Sequence, residues 1–185
     1  MFEKFSKVTA SELQEFHSDF QEIMSKSSLL KNHVLHKEGT VCNHLYLVER
    51  GVARTYYFKD GKDITAHFAV ENGAITAIDS FIQRKKSRYN IELLEDSEIV
   101  SISHKDIEQL LKSKPKYEKI FRLFLEQIYI DLAERIEDLQ FHNARERYEK
   151  LVNNSPDLLQ RVSLKHIASY LGITQETLSR IRGKV

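Results

Sequence analysis

Apolar positions follow a helical period at both ends of the chain and a strand-like period between them. The first helical stretch predicts an amphipathic helix over residues 10–24. Its apolar positions are Leu13, Phe16, Phe20 and Ile23. Thr9 and Glu12 have the spacing of a capping box at its start. The polar run Ser-Lys-Ser-Ser at 25–28 interrupts this pattern, so we expect the helix to end there.

Between residues 29 and 102 the pattern changes to short runs rich in β-branched and aromatic residues. The clearest runs are 45–48, 52–58, 64–70, 89–94 and 98–103. Asp60-Gly61 lies between two of them and favours a tight hairpin, because both residue types accept positive φ. Many short strands at close spacing predict an antiparallel sandwich or barrel.

A long helix is predicted from Tyr117 to about Phe141, where the sequence has neither Gly nor Pro. Ser103 with Asp106 predicts an earlier helix start, and Pro115 precedes the long helix. The first apolar stripe of the long helix is Phe121, Leu125, Ile128, Leu132, Ile136 and Leu139. A second stripe is Ile120, Leu123 and Ile130. One stripe can cover the β body, and we expect the other to pair with a second copy. Burial of both within one chain remains open.

The last 23 residues predict two short helices separated by Gly172. Ser163 can cap the first helix and Thr174 the second. The inward positions of the two helices are Leu164, Ile167, Ala168, Leu171, Leu178 and Ile181. Gly172 suits a left-handed helix stop, and Ala168 is small where the helices must approach closely. This pattern predicts a helix-turn-helix, whose second helix enters the major groove.

Four side chains of the second helix are left outward: Gln175, Glu176, Ser179 and Arg180. Arg180 can bind guanine in a bidentate manner, Gln175 can pair with adenine, and Glu176 can accept a hydrogen bond from cytosine. Candidate phosphate contacts are Ser163, Lys165, Thr174, Arg182 and Lys184. An ordinary helical hairpin with a solvated polar face is the structural alternative.

The charge distribution agrees with a nucleic-acid partner. Residues 141–185 contain eight Lys/Arg and four Asp/Glu, a balance of +4, so the rest of the chain carries −3 of the net +1. A basic segment on a slightly acidic body favours nucleic-acid binding. With no signal peptide or apolar span, we expect a cytoplasmic protein without a membrane partner.

Catalytic and metal sites find little support in the sequence. It lacks His-Glu-x-x-His, Gly-x-Ser-x-Gly and a phosphate-binding loop, so we expect no enzyme activity. Cys42 is the only cysteine and cannot ligate an iron–sulfur cluster alone. Candidate haem ligands by residue type are His33, His36, His44 and His67. His33 and His36 would lie on opposite faces of a strand, and we expect no metal or cofactor.

The segment Ser163–Arg182 resembles the helix-turn-helix of the Crp/Fnr transcription regulators, through Thr-Gln-Glu-Thr-Leu-Ser-Arg at 174–180 and Ala-x-x-Leu-Gly-Ile at 168–173. Residues 29–58 resemble the opening strands of that family's cyclic-nucleotide-binding-like jelly roll. The resemblance implies an α+β chain. It would comprise a jelly-roll sensor domain (1–115), a dimerisation helix (116–141) and a helix-turn-helix domain (142–185). It also implies that Glu176 and Arg180 read bases, with Gln175 beside them.

The expected function is therefore a homodimeric regulator that binds a palindromic site on double-stranded DNA. RNA polymerase and an unidentified small-molecule effector are further candidate partners. The stretch 72–94 lacks the Gly-Glu-Leu and Arg-Ser/Thr-Ala elements of nucleotide-binding relatives, so cyclic AMP is not expected to be the effector. Arg84, Arg88 and Tyr89 are weak candidates for an effector site. Two alternatives remain, a cyclic-nucleotide-responsive regulator and a ligand-sensing module whose tail binds protein.

Overall fold

A computed structural model describes residues 10–183 and shows a β domain followed by a series of helices. The strands are β1 (Met24–Leu29), β2 (Val34–His36), β3 (His44–Arg50), β4 (Ala53–Lys59), β5 (Lys62–Ala69), β6 (Ala74–Ile75), β7 (Asn90–Leu93) and β8 (Ser97–Ser103). The helices are α1 (Ala10–Gln21), α2 (Ile78–Gln83), α3 (His104–Ser113), α4 (Glu118–Phe141), α5 (Ala144–Asn154), α6 (Leu158–Arg161), α7 (Leu164–Leu171) and α8 (Gln175–Arg182). A short 3₁₀ turn, Pro115–Tyr117, precedes α4.

The strands form two four-stranded antiparallel sheets, as the sequence pattern predicts. One sheet has the order β1-β8-β3-β6, which we call sheet A, and the other has the order β2-β7-β4-β5, which we call sheet B. Their facing sides enclose an apolar core that includes Val48, Ile91, Leu93 and Ile99. This arrangement confirms the predicted jelly roll.

The predicted hairpin between β4 and β5 is present. Asp60 and Gly61 have φ values of 51° and 72°, and Lys59 pairs with Lys62 across the turn. Both residues therefore adopt the left-handed conformation that a two-residue hairpin turn requires.

Helices cover the outer face of sheet A through a second apolar cluster. Val100 and Ile102 of β8 lie in this cluster with Phe16 of α1, Ile107 of α3 and Phe124 of α4. Ser103 caps α3 by accepting a hydrogen bond from the amide of Asp106, at 3.0 Å, as its spacing predicts. The first half of α4 is thereby anchored to the β domain.

Three segments differ from the sequence-based expectation. The first helix ends at Gln21 instead of residue 24, and the polar run at 25–28 lies within β1. This strand pairs in register with β8, so distant backbone partners, and not local periodicity, determine its conformation. The short helices α2 and α6 were not predicted. The capping box at Thr9 lies outside the described residues.

Candidate nucleic-acid interface

The helix α7 begins and ends at the residues that the sequence predicts. The Ser163 hydroxyl accepts a hydrogen bond from the amide of His166 at 3.4 Å. At the other end, Gly172 has φ 67° and its amide donates to the carbonyl oxygens of Ala168 and Ser169. The left-handed glycine turns the chain sharply, so a second helix can fold back on the first.

The helix α8 begins at Gln175, immediately after its cap. The Thr174 hydroxyl accepts a hydrogen bond from the amide of Thr177 at 3.2 Å. The pKa of Glu176 lies below its usual value, because its carboxylate accepts from its own backbone amide and from the Thr174 hydroxyl. A negative charge in the first turn also complements the helix dipole.

The two helices pack through the predicted apolar face. Ile167 and Leu178 are fully buried, and Ala168 and Leu171 are nearly so, whereas Leu164 and Ile181 are half-buried beside them. The small side chain of Ala168 lies in this core, as its position in the pattern predicts. These contacts orient α8 with its polar residues outward.

All four predicted base-reading side chains are solvent-exposed on α8: Gln175, Glu176, Ser179 and Arg180. The Arg180 guanidinium donates to the Thr177 hydroxyl at 3.3 Å, a contact that sequence analysis missed although the spacing of three residues would allow it. The positive charge of Arg180 also helps to lower the pKa of Glu176, four residues before it on the same helix. The surface therefore presents donors and acceptors of the kinds that read base edges.

The predicted phosphate-contacting residues lie at the start of α7 and at the two ends of α8. Those that the structure describes are exposed, namely Ser163, Lys165, Thr174 and Arg182. Lys184 lies outside the described residues. The exposed cations Lys165 and Arg182 have the chemistry of phosphate contacts, which position a protein on DNA without reading sequence.

The weak effector candidates lie on and after α2. Arg84 ends α2 in a left-handed conformation, and its guanidinium donates to the carbonyl oxygens of Cys42 and Phe81. It also donates to the side chain of Asn43. Arg84 thus joins the end of α2 to the loop before β3. Arg88 is exposed, and Tyr89 packs edge-on against Tyr57 at 5.7 Å between ring centres.

The predicted dimer stripe on α4 changes character along the helix. Phe121, Leu125 and Ile128 are half-buried against the β domain. Leu132, Ile136 and Leu139 are 50%, 55% and 47% exposed. The second stripe divides too, with Ile120 and Leu123 buried and Ile130 exposed. An apolar surface on the second half of α4 is therefore uncovered within one chain.

Comparisons with known proteins support the fold of the chain. Residues 26–114 match the family model of the cyclic nucleotide-binding domain. The anaerobic regulatory protein of Pasteurella multocida is 28% identical over 179 residues, which cover 88% of this chain and 63% of that protein. The chain thus spans less than two thirds of the length of that relative.

Two solved structures share the fold over most of the chain. One is the c-di-GMP-responsive global regulator CLP of Xanthomonas campestris, with a TM-score of 0.72, 16% identity, and coverage of 92% of this chain and 90% of that one. The other is a protein assigned to the Crp/Fnr family of transcriptional regulators, from Eubacterium rectale. It has a TM-score of 0.71, 16% identity, and coverage of 97% and 84%.

The described residues thus form a jelly roll, a long helix and a helix-turn-helix, in this order. Its β domain matches the cyclic nucleotide-binding domain model, and its fold is similar to that of the Crp/Fnr-family protein from Eubacterium rectale. Across residues 10–183, no helix combines the length and the apolar character that crossing a membrane requires.

Proposed function

We propose that the protein is a sequence-specific DNA-binding transcription regulator that acts as a homodimer. The observation that carries this proposal is the geometry of α8. Its apolar side is buried through Leu178, while Gln175, Glu176, Ser179 and Arg180 are exposed together on its outer side. A short helix presented in this way fits the major groove.

Each exposed side chain has a role in the proposal. Arg180 binds the O6 and N7 atoms of guanine, Gln175 pairs with adenine, and Glu176 accepts from the N4 amine of cytosine. Ser179 supplies a further hydroxyl to a base edge. Lys165 and Arg182 bind phosphates and add affinity that falls as salt is raised.

Dimerisation through the exposed stripe of α4 would place two such helices about a two-fold axis. The preferred DNA would then be a palindrome with half-sites about 10 bp apart, one turn of the double helix. The uncovered side chains of Leu132, Ile136 and Leu139 support this assembly, because water-exposed apolar residues at heptad spacing favour helix pairing.

Regulation by a small-molecule effector is the second part of the proposal. It is supported by the match of residues 26–114 to a cyclic nucleotide-binding domain. Cyclic AMP itself fits poorly, because the donors of Arg84 are already used by Cys42, Phe81 and Asn43. A thermal-shift measurement with cyclic AMP and cyclic GMP tests this: a raised unfolding temperature would favour the cyclic-nucleotide-responsive alternative.

The function is tested by selecting bound duplexes from a random DNA pool. We expect an enriched two-fold site. Arg180→Ala should cost about 1–3 kcal/mol of binding free energy and relax the preference at one base position of each half-site. Enrichment of no sequence by the native protein would contradict the proposal and favour a tail that binds protein.

Lys165→Ala is the matched comparison, because it removes one exposed cation of the helix-turn-helix without removing a proposed base contact. It should weaken binding to all sequences about equally and reduce the dependence of affinity on salt. If Arg180→Ala behaved in the same way, the assignment of Arg180 to a base would be wrong.

A further inference from the structure

The helices α5 to α8, which we call the head, are connected through α4 to the β domain, which we call the sensor. The head also packs against sheet B of its own chain. One apolar cluster contains Val52 and Leu94 from the β domain together with Ile167 and Leu171 from α7. Val52 and Ile167 are fully buried. The head and the sensor therefore share a single core, which resists their separation.

A hydroxyl on α7 completes the edge of sheet B. The strand β5 is the outer strand of that sheet, so half of its backbone groups lack a strand partner. Ser169 accepts a hydrogen bond from the amide of Thr65 at 2.9 Å and donates one to the carbonyl of Asp63 at 3.1 Å. These two directional bonds determine where α7 lies along β5.

An arginine fork forms the second directional contact. Arg161, at the end of α6, donates two parallel hydrogen bonds to the Glu71 carboxylate at 2.7 and 2.8 Å. It also binds Glu95 at 3.1 Å through Nε. Glu71 and Glu95 lie in two separate turns of the β domain, between β5 and β6 and between β7 and β8. Bidentate pairing fixes orientation as well as distance.

A stack of side chains joins the long helix to the same place. The Phe68 ring of β5 lies 5.2 Å from the Tyr170 ring of α7, and the Arg135 guanidinium of α4 lies 3.9 Å from the centre of that ring. Arg135 also donates to the Tyr170 carbonyl. Sheet B, α4 and α7 thus meet at Tyr170.

These contacts determine the position of α8, because α8 is packed directly on α7 through Leu178. We propose that Arg161 and Ser169 are positioning residues. They fix the separation of the two copies of α8, the recognition helices, in the dimer and hence the half-site spacing that the protein accepts. The inference rests on the proposed DNA-binding function. Neither residue needs to touch DNA.

The physical argument concerns the freedom of the head. Adding one base pair between half-sites moves them apart by roughly 3.4 Å, since one turn of about 10 bp spans 34–36 Å. A head held only by the joint between α4 and α5 at 142–143 could follow such a shift. A head held by an arginine fork, two edge-strand hydrogen bonds and a common core must break these contacts first.

The test measures spacing preference in duplexes that carry the selected half-sites with spacers lengthened or shortened by one base pair. We expect the native protein to lose roughly tenfold in affinity on either altered spacer, a loss comparable with that of one mismatched pair. Arg161→Glu, which places a third carboxylate beside Glu71 and Glu95, should reduce this loss to less than about threefold. Base preference within each half-site should stay unchanged.

Lys26→Glu is the matched control. It makes the same change in net charge and breaks an ion pair of 2.5 Å with Glu49 that joins β1 to β3 within sheet A. This variant should retain the native spacing preference. Ser169→Ala, which removes the edge-strand bonds without a change in charge, should relax the preference in the same direction as Arg161→Glu. It replaces Arg161→Glu in the comparison if that variant fails to fold.

The outcomes separate the two claims. If the native protein selects no DNA site, the proposed function fails, and the positioning role fails with it. If the native protein selects a site and folded Arg161→Glu and Ser169→Ala keep its full spacing penalty, the positioning role alone is wrong. A relaxed spacer with unchanged half-site preference supports both.

Discussion

Gly172 connects the two helices of the head in a conformation that other residues adopt at a cost. Its φ is 67°, and among the described residues a methyl group added there would contact only Leu139, at 3.7 Å. The penalty of Gly172→Ala therefore comes from the backbone, about 1–2 kcal/mol in a left-handed conformation. Thermal unfolding should show a lower midpoint for this variant.

Gly183→Ala is the control for this prediction. Gly183 has φ −74°, and its nearest neighbour across the added methyl group would be the Ser179 carbonyl at 3.7 Å. Alanine fits this right-handed conformation, so stability should be unchanged or slightly higher. An equal loss of stability in both variants would show that the left-handed conformation of Gly172 is not the cause.

The residues that define the head could be predicted because their interactions are local. Ser163, Thr174 and Gly172 act within four positions along the chain, and the same short range determines which side chains of α8 are exposed. The contacts of the head with the sensor could not be predicted in this way. Arg161 and Glu71 are 90 residues apart, and no pattern near either one indicates the other.

Elements show the same division between local and distant causes. The long helix α4 follows from 25 residues without Gly or Pro and two apolar stripes, and its observed bounds of 118–141 lie within one residue of the prediction. The strand β1, in contrast, has the polar sequence Met-Ser-Lys-Ser-Ser-Leu and forms because β8 offers backbone partners along its whole length. The helix α6 has four residues, too few for a periodic signal.

The stability that the ion pairs between α6 and the turns of the β domain contribute to the folded state should depend on pH. Hydrogen bonds from Arg161 hold the pKa of Glu71 at about 2, against a usual value of 4.5. Partial burial opposes this lowering of the pKa, and a hydrogen bond from the Gly51 amide supports it. A carboxylate with a lowered pKa stabilises the folded state fully above its usual pKa and loses this effect as pH falls. The contribution should therefore disappear between about pH 4.5 and pH 2.

Thermal unfolding of the native protein and of Glu71→Gln, compared across this range, measures the effect. The native protein should be more stable at neutral pH, and the difference should shrink towards zero as the pH approaches 2. Glu49→Gln provides the control, because its exposed pair with Lys26 should contribute at most about 1 kcal/mol. A difference for Glu71→Gln that persisted at pH 2 would contradict the role of the ionised carboxylate.

At the scale of the whole molecule, the second half of α4 presents apolar residues that one chain does not cover. Ile136 is 55% exposed, with Leu132 and Leu139 on the same side of the helix. Ile130 is 47% exposed but lies about 120° away around the helix, since successive residues are separated by about 100°. The two isoleucines therefore allow one face of the helix to be tested against another.

Ile136→Glu should convert the proposed dimer to a monomer, because two carboxylates would be buried opposite each other across the two-fold axis. Ile130→Glu makes the same substitution in the same helix and should leave the dimer intact. Sedimentation equilibrium distinguishes the two masses directly. DNA affinity should fall only in the first variant, since a monomer binds a single half-site and loses the gain from linked binding. Monomeric Ile130→Glu with dimeric Ile136→Glu would assign the interface to the other stripe of α4, and would turn the recognition helices to a different side of the long helix.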